Sequence, residues 1–153
     1  MPIGQWWQDM GCRLIKQPIH GDFGGDNLLF DDNRVVALLN FDFLAIRERA
    51  FEIDYCLYWM LLRLEGRKLA EGYSWNRVGQ MLGRYNSTSS RLLTSDEIRS
   101  IPIEMARVPL YWIAEANFTE DPIRSLLGQA EIVAFSRWML EQGEEVSNRM
   151  NDI

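Results

Sequence analysis

The stretch that decides the fold reads HGDFGGDN at residues 20–27, and NFD follows at residues 40–42. Between them, two short apolar runs flank the turn-forming residues 31–34. Two apolar runs around polar residues of this kind predict a β-hairpin. Because its strands are apolar on both faces, we expect them to be covered.

Segments on both sides of this window predict helices, because their apolar residues recur at helical spacing or run almost all round the helix. The predicted helices lie at residues 4–16, 51–64, 75–85 and 95–118, with a last long helix from residue 122 onward. Thr94 and Glu97 match the capping box at a helix start, and Pro102 and Pro109 are expected to interrupt or kink the helix that follows. The fold class is therefore mainly α with a small β-hairpin (α+β).

Composition predicts one globular domain over residues 1–153, with 47% apolar residues, 25% charged residues and a formal charge of −6. The excess of acids argues against a nucleic-acid partner and against anionic membrane surfaces. The longest apolar run, residues 55–62, is far shorter than the roughly 20 residues needed to cross a bilayer, and the first residues do not resemble a signal peptide. We expect a cytoplasmic protein in which Cys12 and Cys56 are buried, reduced thiols.

Taken one at a time, the polar residues of the window have ordinary explanations. His20 could be a structural histidine bonded to the backbone, and Asp22 and Asn27 could cap a loop. The glycines at 24–25 could form a turn, since neither a P-loop nor a dinucleotide-binding pattern is present.

The combination is more specific than its parts. His20, Gly21, Asp22 and Asn27 match the pattern H-G-D-x-x-x-x-N, which resembles the catalytic loop of the aminoglycoside phosphotransferase and choline kinase superfamily, small-molecule relatives of protein kinases. In that family a short hairpin and I-D-F or I-D-W follow, and LNF at residues 39–41 falls at this place. The resemblance implies the C-terminal helical lobe of the protein-kinase-like fold.

A further segment carries the resemblance beyond the hairpin. FEID at residues 51–54 looks like the family's Y-D-L-A helix start, with an acid displaced or substituted. Recognisable motifs thus lie within residues 19–59, although the expected helix order fits essentially the whole chain.

The resemblance implies ATP-dependent phosphoryl transfer to a hydroxyl of a small molecule, with Mg²⁺ and ATP as cofactors. Asp22 would accept or orient the proton of the acceptor hydroxyl. Asn27 would offer an amide oxygen to a metal at the phosphates, and Phe41 would lie with it in the cofactor site. His20 is the second candidate catalytic residue, acting more as a brace that holds the loop by hydrogen bonds.

Position 40 departs from the family pattern. The metal-binding aspartate of the family is Asn40 here, and an amide brings a dipole where a hard cation depends on charge. A unit charge pair at about 4 Å and an effective dielectric of about 20 is worth roughly 4 kcal/mol as an upper bound. Asp42 would compensate as a metal ligand if the strand persists, because residues two apart share a strand face.

The second departure is the expected absence of one lobe. Kinases of this type hold ATP between a C-terminal lobe and an N-terminal β lobe that bears a phosphate-binding lysine. Nineteen residues precede His20, enough for one helix and no sheet, and Lys16 falls on that predicted helix. We expect the N-terminal ATP-binding lobe to be absent. The surface that this lobe would cover is then expected to drive self-association or the binding of a partner chain. That surface should include apolar groups near Trp6, Trp7, Phe23 and Phe41.

Three hypotheses for the function stay open. The chain is part of a phosphotransferase, a non-catalytic kinase-like scaffold (a pseudokinase) that binds a partner or ligand, or a chain whose fold survives without a selected function. We expect independent catalysis to be impaired or absent.

The acceptor would be a small hydroxylated molecule. Acids near its pocket would favour a cationic acceptor, although their helical placement indicates that most are solvated. The acids in question are Asp54, Glu65, Glu71, Asp96, Glu97, Glu104, Glu115, Glu120 and Asp121. A tryptophan wall could also bind a cation, but helical spacing favours the core for its members. These are Trp59, Trp75, Trp112 and Trp138.

Overall fold

The computed structural model describes residues 8–65, 75–127 and 130–151. The strands are β1 (Lys16–Ile19), β2 (Leu28–Asp31), β3 (Arg34–Leu38) and β4 (Ala45–Glu48). The helices are α1 (Arg49–Glu65), α2 (Trp75–Thr88), α3 (Ser95–Glu115), α4 (Pro122–Leu127) and α5 (Ala130–Asn151). The described chain is mainly α with small antiparallel sheets, as the sequence predicts. The loop expected at residues 66–73 and the cap expected at Ser74 lie outside the described residues.

Strands β2 and β3 form the predicted hairpin, with Leu28 paired to Leu38. Its turn places Asp32 at a φ of 52°, a left-handed conformation that aspartate and asparagine tolerate better than most residues. The expectation that the hairpin is covered is wrong. Leu29 is 51% exposed and Val36 is 52% exposed, because no described element packs over them.

A second antiparallel sheet joins β1 to β4, with Lys16 opposite Glu48 and Ile19 opposite Ala45. The predicted helix therefore ends early: residues 8–10 are helical, a 3₁₀ turn follows, and the strand then begins. Lys16 lies on a strand, which corrects its predicted place on the helix, and its Nζ lies 3.3 Å from Glu48 Oε1. This sheet carries the chain directly into α1.

The core lies among the helices. Helix α3 packs against α1 and α5, and α2 packs against α5. The stripe predicted for α2 is buried at Trp75, Val78 and Leu82. Helix α3 runs through Pro102 and Pro109 without interruption. The last long helix predicted from residue 122 onward is described in two parts, α4 and α5, and residues 128–129 between them lie outside the described part.

Local sequence signals at the helix starts are confirmed. Thr94 N–H donates to Glu97 Oε2 at 2.8 Å, and Glu97 N–H donates to Thr94 Oγ1 at 3.2 Å, which is the capping box.

Both cysteines are free, but Cys12 is exposed and only Cys56 is buried as expected. Burial raises the pKa of Cys56 to about 11. No described helix combines the length and apolar character needed to cross a membrane.

Candidate active site

Glu52, in the first turn of α1, clamps the start of the HGD loop. Its Oε2 accepts a hydrogen bond from the His20 N–H, and its Oε1 accepts one from the Gly21 N–H, both at 2.9 Å. Hydrogen bonds from backbone amides to a carboxylate are among the stronger ones in proteins. The acid noticed in the sequence as displaced or substituted therefore holds the loop backbone in place. Sequence reasoning missed this role of Glu52.

The carboxylate of Asp22 is held from both sides. Asn27 Nδ2 donates to Asp22 Oδ2 at 2.8 Å and to the Asp22 carbonyl oxygen at 2.7 Å. A 3₁₀ turn at Gly25–Asn27 brings Asn27 back to this position. The hydroxyl of Tyr55, from α1, donates to Asp22 Oδ1. These contacts fix the side chain that the resemblance assigns as the base, and Tyr55 is a partner that sequence reasoning did not find.

His20 joins the HGD loop to the end of the hairpin. Its ring is buried; Nε2 donates to the Leu39 carbonyl oxygen at 2.7 Å, and Nδ1 accepts from the Asp22 N–H at 3.3 Å. Both ring nitrogens are therefore used within the protein. These contacts are of the kind expected for the predicted brace, and the role of His20 stays a prediction.

Gly21 lies very close to the segment that follows the hairpin. Its φ is 84°, and a Cβ built on it would lie 2.3 Å from the Phe43 carbonyl oxygen. Only glycine accommodates both the left-handed backbone and this approach. The glycine of HGD is thus required by the packing of residues 20–22 against residues 39–44.

Asn40 and Asp42, the predicted metal ligands beyond the hairpin, are exposed. Asn40 has a φ of 60°, and β3 ends at Leu38, so the strand-face argument that would bring Asp42 beside it does not apply. The described residues contain no cluster of three His, Cys, Asp or Glu side chains that could hold a metal.

Asn27 remains suited to a metal, because Nδ2 is turned to Asp22 and Oδ1 makes no hydrogen bond with the described residues. A site built from Asn27 and Asn40 would thus be rich in amides. Phe41, the predicted cofactor residue, is exposed and lies with its ring centroid 5.1 Å from that of His20.

Three of the acids expected on solvated faces are buried instead: Asp54, Glu97 and Glu104. Glu97 pairs with Arg49 at 2.6 Å, and Glu104 pairs with Arg107 at 2.6 Å. Burial raises the pKa of Glu104 to about 7, although Arg107 opposes the shift. These three acids lie in the protein interior and do not line an exposed acceptor surface. The side chains of Glu65, Glu71 and Glu115 lie outside the described part.

Asp54 is fully buried, and neither carboxyl oxygen has a hydrogen-bond partner among the residues that the structure describes. Burial, and secondarily the charge of Glu104, raises its pKa well above the ordinary 3.8. The folded state therefore keeps this proton to a higher pH than the unfolded chain does, so stability falls as the pH rises above about 4.

We expect Asp54→Asn to raise the free energy of unfolding at pH 8 by on the order of 1 kcal/mol, because no proton need be taken up on folding. The gain should shrink as the pH approaches about 4. Urea titrations of parent and variant between pH 4 and 8 measure it. A variant with the same pH dependence as the parent would contradict this assignment.

An aromatic row runs along α1 beside the base. The ring centroids of Phe51 and Tyr55 lie 6.0 Å apart, as do those of Tyr55 and Trp59. The proposed cation-binding wall does not form as a unit, because Trp75 is buried and stacks on Trp138 at 5.9 Å. The side chain of Trp112 lies outside the described part.

The chain matches the model of a known protein family over the residues of this site. The model of the phosphotransferase enzyme family, APH, matches residues 5–85, which is more than half of the chain. The match includes the HGD loop, the hairpin and the Glu52 clamp. No curated protein and no solved structure matches the chain. The chain therefore belongs to the phosphotransferase enzyme family.

Proposed function

We propose that this chain activates the acceptor hydroxyl in an ATP-dependent phosphoryl transfer to a small molecule. The observation that carries the proposal is the carboxylate of Asp22, held between Asn27 and Tyr55 on a loop whose backbone Glu52 clamps. A positioned carboxylate within hydrogen-bond reach of a hydroxyl is what general-base assistance requires.

In this proposal each residue of the site has one task. Asp22 takes the proton of the acceptor hydroxyl, while Asn27 and Tyr55 fix the direction of the carboxylate. His20 ties the loop to the hairpin exit. Magnesium bound with ATP would neutralise charge on the phosphates, and Asn27 and Asn40 are the residues that would hold it. Asp42 stays a predicted ligand and Phe41 a predicted contact of the nucleotide.

The chain by itself is proposed to transfer phosphate poorly. Position 40 offers an amide in place of a carboxylate, which removes a charge from the metal site. Lys16, the lysine of the described part, pairs with Glu48 and so does not stand ready for phosphate.

The alternative, a kinase-like scaffold that acts through self-association or a partner chain, is favoured by one observation. The hairpin and the segment after it expose large apolar side chains, each about half exposed or more. The exposed apolar side chains are Leu29, Phe30, Val35, Val36, Phe41, Phe43, Leu44 and Ile46. Exposed apolar side chains in this number favour an interaction site.

The test compares the chain with Asn40→Asp and with Asn40→Asp combined with Asp22→Asn. We expect weak binding of ATP with Mg²⁺ to the parent by calorimetry, and binding up to about three orders of magnitude tighter in Asn40→Asp. ADP formation with glycerol as acceptor should appear in Asn40→Asp and fall by about 10²–10⁴-fold when Asp22 is also replaced.

If Asn40→Asp shows neither a heat of ATP binding nor ADP formation, the catalytic proposal is wrong. Light scattering of the parent then tests the scaffold: a dimer or larger species supports it, and a monomer at high concentration speaks against self-association.

A further inference from the structure

Two carboxyl groups lie buried where α1 packs against α3. They belong to Asp54 on α1 and to Glu104 on α3, and both side chains are inaccessible to solvent. Burial raises the pKa of Asp54, and the charge of Glu104 raises it further, so the two groups lie close enough to repel each other when both are ionised. A buried site that holds two like charges favours protonation. The proposed function uses neither of these side chains.

The cations of this cluster lie nearer the surface than its acids. Arg107 pairs with Glu104 at 2.6 Å, but the Arg107 side chain is 19% exposed. From β4, the half-buried Arg47 attracts Glu104, while the buried Glu48 repels it. Glu48 is paired with Lys16, whose side chain is 58% exposed. Among the described residues, the buried end of the cluster is therefore richer in carboxyl groups than in cations, which favours retention of protons.

Other charged groups surround the cluster on each side. Glu97, on α3, also repels Asp54. At the start of α1, Glu52 contacts the HGD loop, which carries His20 and Asp22. The titrations of these groups must be separated from those of the two buried acids by substitution. The charged side chains described on α5, which packs on α3, are exposed: Arg137, Glu141, Glu144 and Glu145.

Helix α1 also carries the side chains that hold the HGD loop. Glu52 accepts hydrogen bonds from two backbone N–H groups of the loop. Tyr55, next to Asp54 in the chain, donates to Asp22. An ionised carboxyl group is costly to keep in the interior, and a local opening that lets water reach it removes this cost. An opening of α1 from α3 would therefore also disturb the support of Asp22.

We propose that Asp54 and Glu104 form a pH-sensitive switch in the contact between α1 and α3, which is most firmly packed while both acids are protonated and opens locally as they ionise. The switch itself needs no phosphoryl transfer, and only its consequence for the base rests on the proposed function. Burial raises the pKa of Glu104 from 4.5 to about 7. Its contribution to packing is therefore complete below 4.5 and is lost as the pH rises through about 7. Asp54, whose pKa is also raised, acts in the same direction.

Hydrogen exchange of backbone amides in the full chain, read at pH 6 and at pH 8.5, tests the switch. Each rate is divided by the intrinsic rate at the same pH, so that the protection factor reports opening. The protection of α1 amides should fall about tenfold or more between the two pH values, as expected when one group with a pKa of about 7 in the packed state ionises. The His20 and Gly21 amides, which donate to Glu52, should lose protection with α1. Amides of α2, which packs against α5, should keep theirs.

Substitutions assign the effect. Asp54→Asn should reduce the fall in protection, and Asp54→Asn combined with Glu104→Gln should abolish it, although His20 and Asp22 are still present. Carboxyl carbon-13 shifts of the parent give a second reading if the double variant does not fold: at least one of the two acids should titrate above pH 6. Glu141→Gln removes an exposed acid of α5. It is the matched control and should leave the pH dependence unchanged.

Three results would overturn the proposal. The first is equal protection of α1 at both pH values. The second is a fall in protection that persists in the double variant or, where that variant does not fold, carboxyl midpoints below pH 5 for both acids. The third is an equal loss of protection in α1 and α2, because the acids would then act on global unfolding alone. Failure of ATP binding in the earlier test would leave the switch standing, since exchange is measured without nucleotide.

Discussion

Replacing Glu97 by glutamine is expected to lower the free energy of unfolding by about 3–5 kcal/mol, because it leaves a buried arginine without its counter-charge. The guanidinium of Arg49 donates to both carboxylate oxygens of Glu97, at 2.6 and 2.8 Å. Both side chains are almost fully buried. A glutamine could still accept a hydrogen bond from the Thr94 N–H. The lost unfolding free energy would therefore measure the ion pair with Arg49 and not the capping box.

The pH dependence of the same variant gives a second reading. Burial alone would raise the pKa of Glu97, but the hydrogen bonds and charge of Arg49, together with the Thr94 hydrogen bonds, lower it. A carboxylate with a lowered pKa stabilises the fold above its ordinary pKa, 4.5. This stabilisation is lost as the pH falls through the lower folded value. The difference in unfolding free energy between the parent and Glu97→Gln should therefore become smaller at acidic pH.

Urea denaturation at pH 7 measures the loss, with Arg137→Gln as the matched control. Arg137 pairs with Glu141 at 2.8 Å, but the two side chains are 80% and 56% exposed, so breaking this pair should cost no more than about 0.5 kcal/mol. If the two variants lose similar amounts, Arg49 and Glu97 do not form a buried pair in solution.

Gly21→Ala is expected to cost on the order of 3 kcal/mol and to disturb the base. A left-handed backbone costs an alanine about 1–2 kcal/mol, and the added methyl group would lie 2.3 Å from the Phe43 carbonyl oxygen. Either the HGD loop or residues 39–44 must move, which adds about 1–3 kcal/mol of overpacking strain. The movement would break the hydrogen bonds that His20 makes across the same junction.

Gly25→Ala is the control for this substitution, because no atom of the described residues, the chain neighbours of Gly25 aside, lies within 4 Å of a Cβ built there. Its unfolding free energy should stay within about 0.5 kcal/mol of the parent value. Denaturation gives the energies, and amide shifts of residues 39–44 report the displacement. A Gly21→Ala variant with parental stability and unchanged shifts would show that the two segments are not in contact.

Local patterns in the sequence predicted much of the fold. The hairpin, the capping box at Thr94 and Glu97, and the stripe of α2 each depend on residues close together in the chain. Short-range chemistry was enough for all of these. Asp22 and Asn27 were located by the resemblance of the HGD pattern to a known family, and the contact between them was not predicted.

Contacts between distant residues were not predictable in the same way. The pairing of β1 with β4 was missed, since KQPI contains a proline and shows no alternation, and its partner lies nearly thirty residues later. The capping box accounted for Glu97 locally. Its second role, the ion pair with Arg49, was not predicted because the two residues lie 48 positions apart. The clamp by Glu52 and the contact of Tyr55 with Asp22 depend on how α1 sits against the loop, which no local pattern specifies.

The left-handed backbone at Asn40 has an evolutionary consequence. With a φ of 60°, the position suits asparagine and aspartate better than most side chains. Codons for these two residues differ by one base, and the two side chains have nearly the same shape. A point mutation can therefore remove or restore the negative charge of this position while the surrounding backbone is kept. Under the proposed function, the charge on which the metal site depends could therefore be lost or regained within a lineage in a single genetic step.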